Sequence, residues 1–255
     1  MINNQRQQKI LALLNKQEFV SVVELSDTLN VSSQTIRRDL EYFEQKRLVK
    51  RIHGGAIIHK TEHVLPPFYE RIDKCVEEKM AIGKAAYSLV EANSIVCIDA
   101  GTTALSMVRS FDEESQFTVI TTGLVTAAEL CRFRNIELIQ VGGLVHKPSF
   151  TVCSALATGF LSRFNADIAF LSTRALEVNK GTYDYNIALA EEKRVLMNVS
   201  KKVVILADYT KFSSNSLYLS IPLEEIDVVI TDDKAPTSSI KQLQEANIEV
   251  IVVHP

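Results

Sequence analysis

Two short stretches of this chain carry side chains that could do chemistry. The first is residues 32–40, "SSQTIRRDL". Ser33, Gln34 and Thr35 open it, and Arg37 and Arg38 follow within one helical turn. A helix N-terminus offers free N–H groups and a partial positive charge, both favourable to phosphate. Gln can read adenine through two hydrogen bonds, and Arg can read guanine. Ile36 and Leu40 stand behind this donor set. Such a segment suits a helix whose tip enters a DNA groove, and the residue types leave open which donors meet bases and which meet phosphate. The alternative is an ordinary capped surface helix with the Arg pair bonded to Asp39 or Glu41. The second stretch is residues 98–104, "IDAGTTA". Asp99 ends an apolar run, Gly101 lets backbone amides approach an anion, and Thr102 and Thr103 add hydroxyls where a helix should begin. That is a phosphate cradle, or else a plain Gly-Thr cap. Gly123 in "TTG", Gly142 and Gly143 in "VGG", and Asp208 and Lys211 in "ADYTK" end other apolar runs. Lys211 is the candidate charge partner of a phosphate, against the alternative of a solvated lysine.

The surrounding pattern supplies elements to position both stretches. Ile10, Leu11, Leu13 and Leu14 recur at helical spacing. Ser21 with Glu24 forms a capping box for a second helix carrying Leu25 and Leu29. Ser32 or Ser33 caps the third, whose buried side is Ile36, Leu40, Phe43 and Leu48. "KRIHGGAIIH" reads as two short strands, with Gly54 and Gly55 permitting the positive dihedrals of a tight hairpin. Helix, four-residue turn, helix and basic hairpin is the order of a winged helix-turn-helix. On the hairpin, Arg51 and His53 can reach the DNA backbone or minor groove. Pro66-Pro67 marks a linker over 59–74. Beyond it, seven Val/Ile-rich runs (94–100, 117–122, 136–143, 166–173, 202–208, 227–232, 248–253) alternate with helical segments. Runs without alternation suit parallel strands covered on both faces. The expected architecture is therefore an N-terminal winged helix-turn-helix domain (1–58), a linker (59–74) and a mostly parallel, Rossmann-like α/β domain (75–255).

Charge supports the division. Residues 1–60 hold 10 Lys/Arg against 6 Asp/Glu, whereas the whole chain has a net charge of −3. A basic segment on an acidic body is expected when one part alone meets phosphate. The 255 residues contain no run of 18 apolar residues and no apolar leader at the start, so a cytoplasmic protein with no membrane partner is expected. The four cysteines are far apart and imply neither disulfide framework nor metal site. No cofactor is expected: there is no GxGxxG and no GxxxxGK[ST].

The stretch "SVVELSDTLNVSSQTIRRDLEYFEQKRLVKRIHGGA" resembles the helix-turn-helix signature of DeoR-type bacterial repressors. The resemblance implies DNA contacts at Ser33, Gln34, Thr35, Arg37, Arg38, Arg51, His53 and Gly54. The rest of the chain is similar to that family's sensor domain, which looks related to ribose-5-phosphate isomerase. It matches the family pattern at Asp99, Gly101, Thr102, Thr103, Gly142, Gly143, Asp167, Phe170, Lys193, Arg194, Asp208, Lys211 and Phe212. The resemblance implies repression of a carbohydrate operon, relieved or tuned by a phosphorylated sugar. Three positions depart from the pattern: Gly123 for Asn, Leu189 for Glu, and Ser172-Thr173-Arg174-Ala175 for "G-A-x-G". Arg174 can pair with an additional acidic group on the ligand, as in a sugar acid, or can bond Glu191 or Glu192.

A second reading is a sugar-phosphate isomerase with an accessory DNA-binding domain. Isomerisation needs a positioned base, and Ser172, Thr173 and Arg174 supply none where the related isomerases keep carboxylates. No catalytic residue is expected. The effector site is expected to comprise Asp99, Gly101, Thr102, Thr103, Gly123, Gly142, Gly143, Arg174 and Lys211. Double-stranded operator DNA read at repeated half-sites calls for a homo-oligomer, at least a dimer.

Overall fold

In the computed structural model, which describes residues 5–16, 19–45, 49–52, 54–58, 66–214 and 216–255, the first apolar stripe becomes α1 (Gln5–Lys16). There follow β1 (Val20–Ser21), α2 (Val22–Leu29), α3 (Ser33–Gln45), β2 (Val49–Ile52) and β3 (Gly55–Ile58). Residues 1–64 and 65–255 form separate units. Ser21 caps α2 by accepting from the Glu24 N–H at 3.0 Å, worth about 1 kcal/mol. The helix ends at Asn30, which takes the left-handed conformation (φ 51°) while the Val31 N–H returns to the Ser26 carbonyl. Ile10, Leu14, Leu25, Ile36, Leu40 and Phe43 are buried as one core. Leu48, expected there, lies outside the described residues.

β2 and β3 pair antiparallel, Arg51 opposite Ala56 and Ile52 opposite Gly55. The two glycines of this hairpin serve different ends, which corrects the expectation that both supply positive dihedrals. Gly54 has φ +82°, whereas a Cβ on Gly55 would lie 2.3 Å from the Val20 carbonyl oxygen. Gly55 is needed because β1, unforeseen in the sequence, crosses close and pairs with β3.

The second unit begins with α4 (Phe68–Ile72) and α5 (Val76–Tyr87). Next come β4 (Ile95–Ile98), α6 (Thr102–Val108), β5 (Thr118–Thr121), α7 (Leu124–Leu130) and β6 (Glu137–Gln140). A short hairpin, β7 (Val145–His146) and β8 (Thr151–Val152), leads to α8 (Ala155–Leu161) and β9 (Ala166–Ser172). The chain continues through β10 (Ala175–Glu177), β11 (Gly181–Asp184), α9 (Ile187–Asn198) and β12 (Ser200–Leu206). It closes with β13 (Tyr218–Pro222), β14 (Val228–Asp232), α10 (Thr237–Glu245) and β15 (Glu249–Val253).

Each of the seven apolar runs supplies one strand of a single parallel sheet, in the order β15-β14-β12-β9-β4-β5-β6. Successive side chains of these strands enter opposite cores. Cys97, Val203 and Ile205 pack with α8, α9 and α10, while Val96, Ile98, Val204 and Leu206 pack with α5, α6 and α7. Burial pushes the Cys97 thiol up to about 12, which makes it an inert core group. A second sheet, β10-β11-β13, is antiparallel and was not legible. Its segments carry Thr182 and Ser220, whose buried hydroxyls bond each other at 2.9 Å, and so they lack the apolar signal of a core strand.

The expected linker lies outside the described residues up to 65. From Pro66 onward it is built into the second unit, with Phe68 buried and its N–H donated to the Pro148 carbonyl. Among the described residues no helix is long and apolar enough to cross a membrane, and no group of three or more His, Cys, Asp or Glu could hold a metal ion.

Candidate functional site

In the first unit, Ser32 caps α3. Its Oγ accepts from the Thr35 N–H at 3.3 Å and its hydroxyl meets that of Thr35 at 2.9 Å. Gln34, Arg37 and Arg38 are exposed and share one face, three and four residues apart, opposite buried Ile36, Leu40 and Phe43. Ser33 and Thr35 are half-buried. Of the two expected competitors for the Arg pair, Asp39 is held by Arg6 of α1 (Nε–Oδ2, 2.7 Å) and by Gln7 (3.0 Å), and Glu41 is exposed and makes no ion pair with either arginine among the described residues. Neither Arg37 nor Arg38 has an ion-pair partner among the described residues. Arg51 is exposed and loosely paired with Glu44 at 3.9 Å. Gly54 is the exposed hairpin tip, and His53 lies outside the described residues.

In the second unit the strand order reverses between β4 and β9. After β4 the chain adds β5 and β6 on one side, then returns to place β9, β12, β14 and β15 on the other. Open α/β sheets bind ligands beyond the strand C-termini at such a switch point. Here two adjoining cavities, of about 270 and about 50 Å³, lie at the ends of β4 and β9. Arg71, Ser172, Thr173 and Arg174 line both.

The larger cavity is basic. Arg71, Lys74, Lys79, Arg174 and Lys211 line it against a single carboxylate, Asp208. Lys211 stands 3.3 Å from Asp208, and the other Asp208 oxygen accepts from the Thr210 N–H and hydroxyl. Thr102, Thr103, Thr210 and Ser214 add hydroxyls. Lys79 is buried, its Nζ donating to the Arg71 carbonyl, and burial lowers its pKa to about 8. Arg174 donates to Ser214 Oγ at 3.2 Å and pairs with neither Glu191 nor Glu192; Glu191 instead accepts from the Tyr218 hydroxyl.

The smaller cavity holds a buried ionic cluster. Lys193 Nζ donates to the Ser172 carbonyl at 2.5 Å and to Asp184 at 2.9 Å, and stands 3.7 Å from Asp99. Burial would lower the Lys193 pKa, but Asp184 and Asp99 outweigh it and raise it. Asp99 accepts from the Gly101 N–H and the Ser172 N–H, both at 3.0 Å, and so ties together the loops after β4 and β9. A Cβ on Gly101 would fall 2.1 Å from Ser172 Oγ. Gly101 is therefore required by loop contact, and its amide is taken by Asp99 rather than left for an anion.

Glu192, on α9, also lines the smaller cavity, and burial raises its pKa to about 8. In the unfolded chain it titrates near 4.5. Between those values the folded state holds a proton the unfolded state has lost, so this residue's contribution to stability falls as pH rises. Glu192→Gln removes that dependence. The stability of the variant relative to the native chain is expected to increase from about pH 5 to about pH 8 in urea unfolding. Parallel curves across that range would refute the assignment.

The expected effector residues divide into two groups. Asp99, Gly101, Thr102, Thr103, Arg174 and Lys211 line one or other cavity. Gly123, Gly142 and Gly143 line neither. Gly123 begins α7 and packs on Ala100, where a Cβ would lie 2.8 Å from the Ala100 Cα. Gly142 is exposed, and Gly143 has φ +147° in the loop after β6. Arg71, Lys74 and Lys79 were missed because they sit in what reads as a polar linker and an amphipathic helix. Only the fold of α4 and α5 over the sheet end brings them to the cavity.

A winged helix-turn-helix unit with an exposed Arg face, joined in one chain to an α/β unit with a basic switch-point cavity, is the build of a ligand-responsive transcriptional regulator. The DeoR-like helix-turn-helix domain matches residues 6–62, and the DeoR C terminal sensor domain matches residues 74–233. The HTH-type transcriptional regulator GolR of Listeria innocua is 39% identical over 246 residues, 96% of this chain and 97% of its own length. The glycerol-3-phosphate regulon repressor of Escherichia coli is 27% identical over 98% of this chain and 99% of its own length. This chain belongs to the DeoR family of helix-turn-helix transcriptional regulators. Ribose 5-phosphate isomerase A of Methanocaldococcus jannaschii is matched over 52% of this chain and 53% of its own, at 19% identity and a TM-score of 0.40, a partial likeness of fold.

Proposed function

We propose that this protein represses a carbohydrate-metabolism operon by binding double-stranded operator DNA through α3 and the β2–β3 wing, under control of a phosphorylated sugar or sugar acid. One observation carries the effector assignment: five cationic side chains and one carboxylate line a cavity at the topological switch point. That excess of positive charge among hydroxyl donors fits a phosphate, which accepts charge-assisted hydrogen bonds from both kinds of group. The name of the Escherichia coli relative supports a repressor tied to phosphorylated metabolites. The DNA-contacting set is Ser33, Gln34, Thr35, Arg37, Arg38, Arg51, His53 and Gly54.

The domain is read as a sensor without catalysis, in a cytoplasmic homo-oligomer whose paired helix-turn-helix units meet two half-sites. The effector acts by binding more tightly to one of two arrangements, DNA-competent or incompetent. The test is thermal unfolding against sugar phosphates and their unphosphorylated parents. At least one phosphate is expected to raise the melting temperature where its parent does not, and Lys211→Ala is expected to cut that rise by more than half. Equal shifts with parent sugars would sink the phosphate assignment. Turnover of pentose or hexose phosphates by the purified protein would favour the isomerase reading instead.

A further inference from the structure

The smaller cavity contains acceptor capacity that nothing in the protein uses. Glu192 is 1% exposed, and neither of its oxygens has a hydrogen-bond partner among the described residues. Buried polar atoms are nearly always bonded, so a buried carboxyl with unused acceptor capacity that lines a cavity needs a reason. Its neighbours are committed. Lys193 is held by Ser172 and Asp184, and Asp99 accepts the Gly101 and Ser172 amides. Thr122 is the one hydroxyl that acts on Glu192, lowering its pKa against the effect of burial, but it does not reach ordinary hydrogen-bond geometry and could serve one oxygen at most.

The cavity beside this carboxyl measures about 50 Å³, several times the roughly 10–15 Å³ one water requires. It therefore has room for a few hydroxyl-sized groups. Because Arg71, Ser172, Thr173 and Arg174 wall both cavities, a molecule anchored in the basic one can extend into the other. Leu189, one turn before Glu192 on α9, lines the cavity too but offers no hydrogen bond. We infer that Glu192 is a specificity-determining residue that hydrogen-bonds a ligand hydroxyl, the smaller cavity being the subsite for the neutral, hydroxylated end of a sugar or polyol phosphate. This rests on the reading of the basic cavity as the phosphate site, and it narrows the effector class. The arginines that reach this space, Arg71 and Arg174, also wall the phosphate cavity, and its lysine is already doubly bonded beside Asp99 and Asp184, so a ligand carboxylate would compete with the phosphate for the same cations. A hydroxyl can donate to Glu192 without that conflict.

The test compares dissociation constants by calorimetry for inorganic phosphate, glycerol 3-phosphate, ribose 5-phosphate, glucose 6-phosphate and 6-phosphogluconate. The chains are native, Glu192→Gln and Glu192→Leu, each shown to be folded by circular dichroism and melting. The native protein is expected to prefer at least one neutral-ended sugar or polyol phosphate over inorganic phosphate by about tenfold or more. Glu192→Leu, which removes the acceptor, is expected to reduce that preference to about threefold or less, while Glu192→Gln retains most of it. Retention of the full preference by Glu192→Leu overturns the inference. So does tighter binding of 6-phosphogluconate than of every neutral-ended compound, or phosphate binding that no sugar or polyol improves. If nothing binds, inorganic phosphate included, the basic-cavity reading fails first and this inference with it.

Discussion

Arg37→Ala and Arg38→Ala each lower operator affinity roughly tenfold to hundredfold, the loss expected when an Arg contact to DNA is deleted. The geometry gives the reason. Both side chains project from α3 on the face opposite its buried stripe; Asp39 is bonded to Arg6 and Gln7, and Glu41 makes no ion pair with either arginine among the described residues. The substitutions delete exposed groups, so unfolding midpoints stay within about 0.5 kcal/mol of the native protein. Binding is measured on an operator selected from a random-sequence library, over a range of salt. Loss of an arginine on phosphate reduces the salt slope by about one and weakens all sequences alike, whereas loss of an arginine on a base edge relaxes the preference at one position. Wild-type affinity in both variants at moderate salt would remove α3 as the recognition helix.

Lys193→Met destabilises the second unit by about 3–5 kcal/mol near neutral pH, because it strips the cation from a buried cluster and leaves the carboxylates behind. Asp184 loses its 2.9 Å donor, the Ser172 carbonyl loses its own, and Asp99 loses the charge 3.7 Å away. Methionine matches the length and fills the space, so a cavity does not account for the loss. The effect depends on pH with a definite sign. Burial already raises the Asp99 pKa, and removal of Lys193 raises it further. The folded variant then holds a proton that the unfolded chain releases, so its deficit shrinks as pH falls from neutrality toward about 4. Chemical unfolding of both proteins at several pH values measures this. A penalty under about 1 kcal/mol at neutral pH would mean the cluster is hydrated and its charges are screened.

Much of the first unit was legible because its determinants are local. Ser21 and Ser32 cap helices by bonding N–H groups three residues on, and the stripe through Ile36, Leu40 and Phe43 follows the helical period. The seven parallel strands were legible for a related reason. Burial on both faces demands unbroken apolar runs, and such runs can be seen without knowing their partners. The antiparallel sheet of β10, β11 and β13 escaped because its buried hydroxyls satisfy one another across strands, a pairing that leaves no mark in either segment alone.

The candidate ligand site shows the same division more sharply. By itself the sequence determined the helix-turn-helix, the α/β class, and the acids, threonines and lysine at strand ends, since each depends on neighbours a few residues away. Tertiary structure alone decided which of those residues share a cavity. It set Gly123, Gly142 and Gly143 apart from the walls, made Gly101 a contact residue against Ser172, and brought in Arg71, Lys74 and Lys79 from a stretch that reads as linker. A cavity is a meeting of distant segments, and the charge it presents is a sum over positions from 71 to 211. Local propensity and periodicity act over a few residues and carry no information about that sum. Packing against the sheet end does, because it alone determines which segments close around one space.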